Sequence, residues 1–241
     1  MWRLFVGLIV AGLLLMTLEA KTWEYRITSP LFGTLGSVQI RENNTSQKGY
    51  RIVAEAKTHG IAATLTRHRH WQVLSEGKWK GLRRVPHHYS YQEEDKKKKK
   101  IHDYSIDPVH RKVEKSTREW KRGKLRKKER SKLPYYSDED PATLLFNLLS
   151  HPQMLKSGRY RVVGAEKNGG YITVTVPDER NAASERSRLR VGKQEKIVYI
   201  VIPQKKKSSR KIVAAVSTDG ELDAAYTVAV PVIGVLYMKR R

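Results

Sequence analysis

Ser137–Leu149, SDEDPATLLFNLL, is the one clearly helical stretch of a 241-residue chain that otherwise runs from strand to strand. Asp140 suits the N-cap, and Pro141 suits the first helical position, where a missing N–H costs nothing. Asp138 and Glu139 place negative charge at the positive end of the helix dipole. Leu144, Leu145, Leu148 and Leu149 form one apolar stripe. Each fully buried leucine contributes roughly 1.5–3 kcal/mol, so a helix this short persists only if a curved sheet receives it. The stretch therefore predicts a sheet with a helix, at about 140–150, packed in its mouth.

The flanking sequence supplies the strands. Trp23, Tyr25 and Ile27 alternate with Glu24, Arg26 and Thr28, as in a half-buried strand. Val38 and Ile40 alternate with Gln39 and Arg41, and after a polar turn Tyr50, Ile52, Ala54 and Ala56 continue the pattern, which makes a hairpin. Gly60–Leu65 reads as a single helical turn or a crossing segment. Arg67–Leu74 reads as a strand, and Val85, His87, Tyr89 and Tyr91 are expected to share a face of the next one. After the helix, two strands flank Lys167-Asn168-Gly169-Gly170, a hairpin turn. Asp178–Arg190 is polar and weakly patterned, a loop or short edge strand. Lys196–Ile202, apolar on both faces, is expected to be the central and most buried strand. Further strands follow to Met238. The fold class predicted is mainly β: eleven to thirteen antiparallel strands in one domain, residues 21–241, forming a curved sheet or incomplete barrel with one short helix.

Charge is the second signature. The chain has 48 Lys and Arg against 24 Asp and Glu, a net charge of +24, and half of this lies in Lys96–Lys132. This stretch reads as a basic insert of two or three exposed strands or loops, because Ile101, Tyr104, Ile106, Val109 and Val113 are interspersed with turn signals. Lys96, Lys97, Lys98, Lys99, Lys100, Lys121, Arg122, Lys124, Arg126, Lys127 and Lys128 are its candidate contacts to an anionic membrane surface or an acidic envelope component.

Residues 1–20 carry a basic start, an apolar run from Leu4 to Leu15 and a small residue at Ala20, the pattern of a secretory signal peptide cleaved after Ala20. An uncleaved anchor helix is the alternative. An exported, periplasmic protein is expected. With no cysteine the chain has neither disulfide nor thiolate chemistry. His68-Arg69-His70 would place two imidazoles on one strand face, but flanking arginines disfavour a cation, and ordinary surface histidines are expected, with no metal or other cofactor. Serine-nucleophile and phosphate-loop motifs are absent, so no catalytic residue is assigned. Nucleic acid is an improbable partner for an exported chain. Glu42-Asn43-Asn44-Thr45-Ser46 contains two glycosylation sequons, and Glu42 two residues before Asn44 matches an acidic bacterial form; a solvated turn explains the same residues.

The order of LFGTLGSVQI, YRIVAEAKTHGIAATL, DPATLLFNLL, STDGEL and GVLYMK after a signal peptide resembles the exported bacterial domain-of-unknown-function family 3108 (DUF3108). The resemblance implies a periplasmic curved sheet or incomplete barrel, similar to lipoprotein-carrier and lipocalin-like shapes, and offers no catalytic residues to carry over. Lys96–Lys132 and Asp178–Arg190 depart from the family's pattern.

Two functions fit. One is a non-enzymatic periplasmic carrier holding a lipid or other hydrophobic ligand between sheet and helix, lined by Trp23, Tyr25, Val38, Ile40, Tyr50, Ile52, Leu144, Leu145 and Leu148. The other is a structural envelope protein with a solid core, whose basic ribbon grips an anionic surface or an acidic partner.

Overall fold

The computed structural model describes residues 20–45, 48–152, 155–166, 169–203, 209–230 and 234–241. The expected signal peptide and the centre of the 167–170 turn lie outside them. The described chain forms a mainly β fold, a 14-stranded antiparallel sheet that does not close into a barrel. The first eight strands are β1 (Lys21–Ser29), β2 (Gly33–Thr45), β3 (Gly49–Thr58), β4 (His70–Lys80), β5 (Arg83–Glu94), β6 (Lys98–Asp107), β7 (Lys112–Lys121) and β8 (Lys124–Lys132). The second set is β9 (Gly158–Arg161), β10 (Tyr171–Thr175), β11 (Lys196–Pro203), β12 (Ser209–Val216), β13 (Leu222–Val230) and β14 (Gly234–Arg240). Among the described residues three short helices interrupt them: α1 (Gly60–Leu65), α2 (Pro141–Leu149) and α3 (Glu179–Leu189).

Every neighbour in the sheet is adjacent in sequence except one pair. Strands β1 and β14 join two meanders, so β8 and β9, though consecutive along the chain, are the two outer edges. Tyr25 of β1 shares a core cluster with Val174 of β10, Val198 of β11 and Ala214 of β12, which only a curled sheet allows. The flanks meet through side chains: Val163 packs with Tyr89, Tyr104, Ile106 and Val113, and Glu166 accepts from Tyr104 and Lys115, both at 3.3 Å.

The basic stretch continues the sheet as β6, β7 and β8, but contrary to expectation only β8 is exposed throughout. Tyr104 and Ile106 of β6 and Val113 of β7 are buried core residues.

Several local expectations are corrected. Strand β4 begins at His70; His68 sits in the turn before it at φ 58, so the two imidazoles do not share a strand face. In β5 the pairing shifts: Gly77 opposes Pro86 and Glu76 opposes His88, leaving His87 as a bulge. The bulge reverses the face, so Arg84 and Pro86, not Val85 and His87, point inward with Tyr89. A Cβ on Gly77 would collide with Val85 O and lie 2.7 Å from Pro86 Cα and Tyr50 Cε1. Gly77→Ala is therefore expected to cost about 1–3 kcal/mol through overpacking, read as a lower urea midpoint with an unchanged slope; an unchanged midpoint would contradict this account of the bulge.

Asp178–Arg190 is neither loop nor strand but α3. Asp178 caps it by accepting from Asn181 N at 2.8 Å, and Arg190 ends it at φ 56. Only Ala182 and Leu189 are buried, too sparse a stripe to register as a period. Tyrosine hydroxyls of the sheet hold it instead: Tyr226 and Tyr199 donate to Glu185 at 2.6 and 3.3 Å. Strand β11 is neither central nor the most buried: it lies third from the β9 edge, and in its neighbour β12 Val213, Ala214, Ala215 and Val216 are at most 3% exposed. Strand β12 is covered on both faces, by α3 outside and the main core inside, whereas Val201 and Ile202 of β11 remain half-exposed.

Candidate functional site

Helix α2 is locked to the inner face of the sheet at both ends. At its start, Asp140 Oδ1 accepts from the backbone N–H groups of Ala142 and Thr143 at 2.8 and 2.9 Å, Thr143 Oγ1 accepts from Asp140 N, and Ser75 Oγ of β4 donates to Asp140 Oδ2 at 2.6 Å. Burial pushes the Asp140 carboxyl up to about 6. It raises Glu139 as well, against the opposing pull of Arg83 and Asn147. At the far end, Arg84 Nε donates to Glu42 at 2.6 Å, and Arg84 Nη1 donates to Ser150 Oγ at 2.9 Å and Phe146 O at 3.4 Å. Its guanidinium lies over Trp79, 4.2 Å from the ring centre. The cation meets the negative end of the helix dipole. Glu42 is consumed by this pair, and Asn44 accepts from Trp79 Nε1 at 3.3 Å, so the acidic sequon residue faces the core instead of a glycosylating surface.

Little room is left beneath the helix. Trp23, Tyr25, Ile40 and Leu145, with Lys21, Glu42, Arg84, Phe146 and the 219–222 turn, enclose about 110 Å³, the space of a few waters at roughly 30 Å³ each. Leu144 is buried, and Leu148 packs against the same cluster. Tyr50 and Ile52 are 1% exposed and spent in packing. The expected ligand space between sheet and helix is thus largely filled by the leucine stripe itself. Val38 and Tyr25 border a separate cleft of about 320 Å³ with His59 and Arg241.

Beyond the helix the inner face is different. The pairing registers carry two side-chain rows across β1–β5: Trp23, Ile40, Ala54, Val73, Tyr91, and beside them Tyr25, Val38, Ala56, Trp71, Glu93. Tyr25 is buried and the others are half-buried. Ile200, Ile212 and Met238, from the opposite flank, pack on the same core cluster as Val38 and Ile40. Together the rows form a mainly apolar strip, the trough, running across five strands and ending in Glu93. Its second row continues as Lys100 and Glu119, which are ion-paired, and then Lys127; the bond from Lys100 holds the Glu119 carboxyl below its ordinary range.

Alternation alone places Ala54, Ala56, Trp71, Val73 and Tyr91 on this face beside Val38 and Ile40. Arg84 was hidden by the bulge. Of the basic candidates, Lys96 and Lys97 lie in the turn before β6, Lys98, Lys99 and Lys100 open β6, Lys121, Arg122 and Lys124 surround the β7–β8 turn, and Arg126, Lys127 and Lys128 lie on β8. Lys99 pairs with Glu94, Lys100 with Glu119 and Lys127 with Glu129. Among the described residues no group of three or more potential metal ligands is gathered.

No family model matches the chain, and no curated protein does. A solved structure does: the crystal structure of a beta-barrel-like protein of domain of unknown function DUF1849 from Brucella abortus, at TM-score 0.55 and 12% identity, covering 92% of this chain and 94% of that one. The likeness is one of fold: a beta-barrel-like domain of unknown function.

Proposed function

We propose that the protein is a non-enzymatic, exported carrier-type protein that holds a lipid or other hydrophobic ligand along the trough beyond α2. The observation that carries this reading is the mainly apolar strip left half-buried across β1–β5, while little room remains under the helix. An acyl chain laid there gains about 0.8 kcal/mol per buried methylene, before the cost of ordering it. Export through a signal peptide cleaved after Ala20, a single domain over residues 21–241 and membership of family 3108 belong to the same proposal, which the spaced motifs support. The test is uptake of a fluorescent fatty acid by the wild type and by Ala54→Trp, which puts an indole in the middle of the trough. Binding is expected to weaken at least fivefold at unchanged thermal stability. Equal binding by both proteins would overturn the trough as the site.

A second reading, an envelope protein gripping an anionic surface or acidic partner, is favoured by one feature: β8 is exposed at all nine of its residues.

A further inference from the structure

Strand β8 is an open sheet edge, and the molecule treats its two edges differently. Strand β9 has four residues and is flanked by the 135–139 segment: Ser137 Oγ donates to Arg161 O at 2.6 Å, Tyr135 to Val162 O at 3.1 Å, and Val163 N to Glu139 O at 2.8 Å. Strand β8 has nine residues, pairs only with β7, and receives no backbone hydrogen bond from any other described segment. A long unpaired edge is a template for another strand. Charge decides which strand it admits. Six of the nine residues of KLRKKERSK are basic, and among the described residues Lys124, Arg126, Lys128, Arg130 and Lys132 make no ion pair. Their neighbours add to the repulsion: Lys98, Lys121 and Lys124 line up across β6, β7 and β8, and Arg118 opposes Lys128. Like charges directly opposite one another destabilise a sheet. A second copy of β8 would deepen this repulsion, so self-pairing is blocked, while an acidic strand would relieve it.

We propose that β8 is a docking edge for an extended acidic segment of a partner protein, which adds to the sheet as a fifteenth strand. This rests on the second reading above. From Lys127 onward, residues two apart share a face; Lys128, Arg130 and Lys132 line the outer one and Glu129 the inner. The segment recognised carries acidic residues at every second position, facing outward, with neutral residues between. Backbone pairing supplies the affinity, and the alternate charges supply the selection.

The test uses the full chain and a labelled nine-residue peptide alternating glutamate and threonine, with two further versions N-methylated at one or the other alternate set of amides. Only one set can face β8. By fluorescence anisotropy, one methylated peptide is expected to bind at least tenfold more weakly than the unmodified one and the other about equally, and the triple variant Lys128→Glu, Arg130→Glu, Lys132→Glu is expected to lose binding. If both methylated peptides bind like the unmodified one, the contact is charge alone and strand addition is overturned, while the second reading stands. If anionic phosphatidylglycerol vesicles displace the peptide and methylation has no effect, the surface serves a membrane, which overturns the protein-partner proposal. If neither peptide nor vesicles bind, the proposal and the second reading fall together.

Discussion

Replacing Arg84 with alanine is expected to destabilise the protein by about 3–5 kcal/mol, the usual cost of removing one partner of a buried ion pair. Arg84 and Glu42 are 6% and 7% exposed, and the guanidinium also holds the end of α2 through Ser150 and Phe146. Without it Glu42 stays buried and uncompensated, the helix end loses its cation, and the contact with Trp79 goes as well. The pair's own net worth is a separate quantity. Its desolvation offsets much of its attraction, so the double variant Arg84→Met, Glu42→Leu is expected to recover most of the loss. Urea unfolding of the wild type, the single variant and the double variant measures both. A loss under about 1 kcal/mol for Arg84→Ala would show that the pair does not anchor the helix.

Asp140 gives the second large effect, in which charge and geometry can be separated. Its carboxyl is fully buried yet accepts two backbone N–H groups and a hydroxyl. Asp140→Ala removes the cap and leaves Ser75 with only the longer 3.4 Å bond to the Tyr50 hydroxyl, at an expected cost of about 2–3 kcal/mol. Asp140→Asn keeps an oxygen for the two amides and offers an N–H to Ser75 Oγ, so at about pH 4, where both side chains are neutral, it is expected to stay within about 1 kcal/mol of the wild type. The pH dependence follows from the folded-state carboxyl at about 6 against its ordinary value of 3.8. Between those values the folded chain keeps a proton that the unfolded chain has released. The free energy of unfolding therefore falls as pH rises from about 4 to about 6, by about 3 kcal/mol for a shift of this size, with most of the advantage present at the acid end. Asparagine does not titrate, so the difference between wild type and Asp140→Asn across that window isolates the group. Parallel curves for the two proteins would contradict the assignment.

The parts of this fold that were legible are those where one face is apolar. Trp23, Tyr25, Val38, Ile40, Tyr50 and Ile52 fall inward as their alternation requires, and Asp140-Pro141 starts the helix where capping chemistry places it. Helix α3 was illegible because it is held by tyrosine hydroxyls on Glu185 and by two small contacts, not by a stripe. The burial of Arg84 was illegible for another reason. A single bulge residue, His87, reverses the face of β5, and nothing in a period-two pattern marks where a bulge falls. Burial in β12 depends on what covers its two faces, which composition does not carry. The candidate site divides the same way. Sequence alternation led to Val38 and Ile40 and could have led on to Ala54, Val73 and Tyr91. How much room remains under the helix depends on how completely Leu144, Leu145 and Leu148 fill their side of the sheet, which alternation does not carry.

Native mass spectrometry of the protein after mild purification, paired with organic extraction and lipid analysis, shows whether the trough holds a hydrophobic ligand. A bound mass of lipid size, released by extraction and reduced in Ala54→Trp, is the predicted result. Protein at its bare chain mass that takes up no added fatty acid would contradict it.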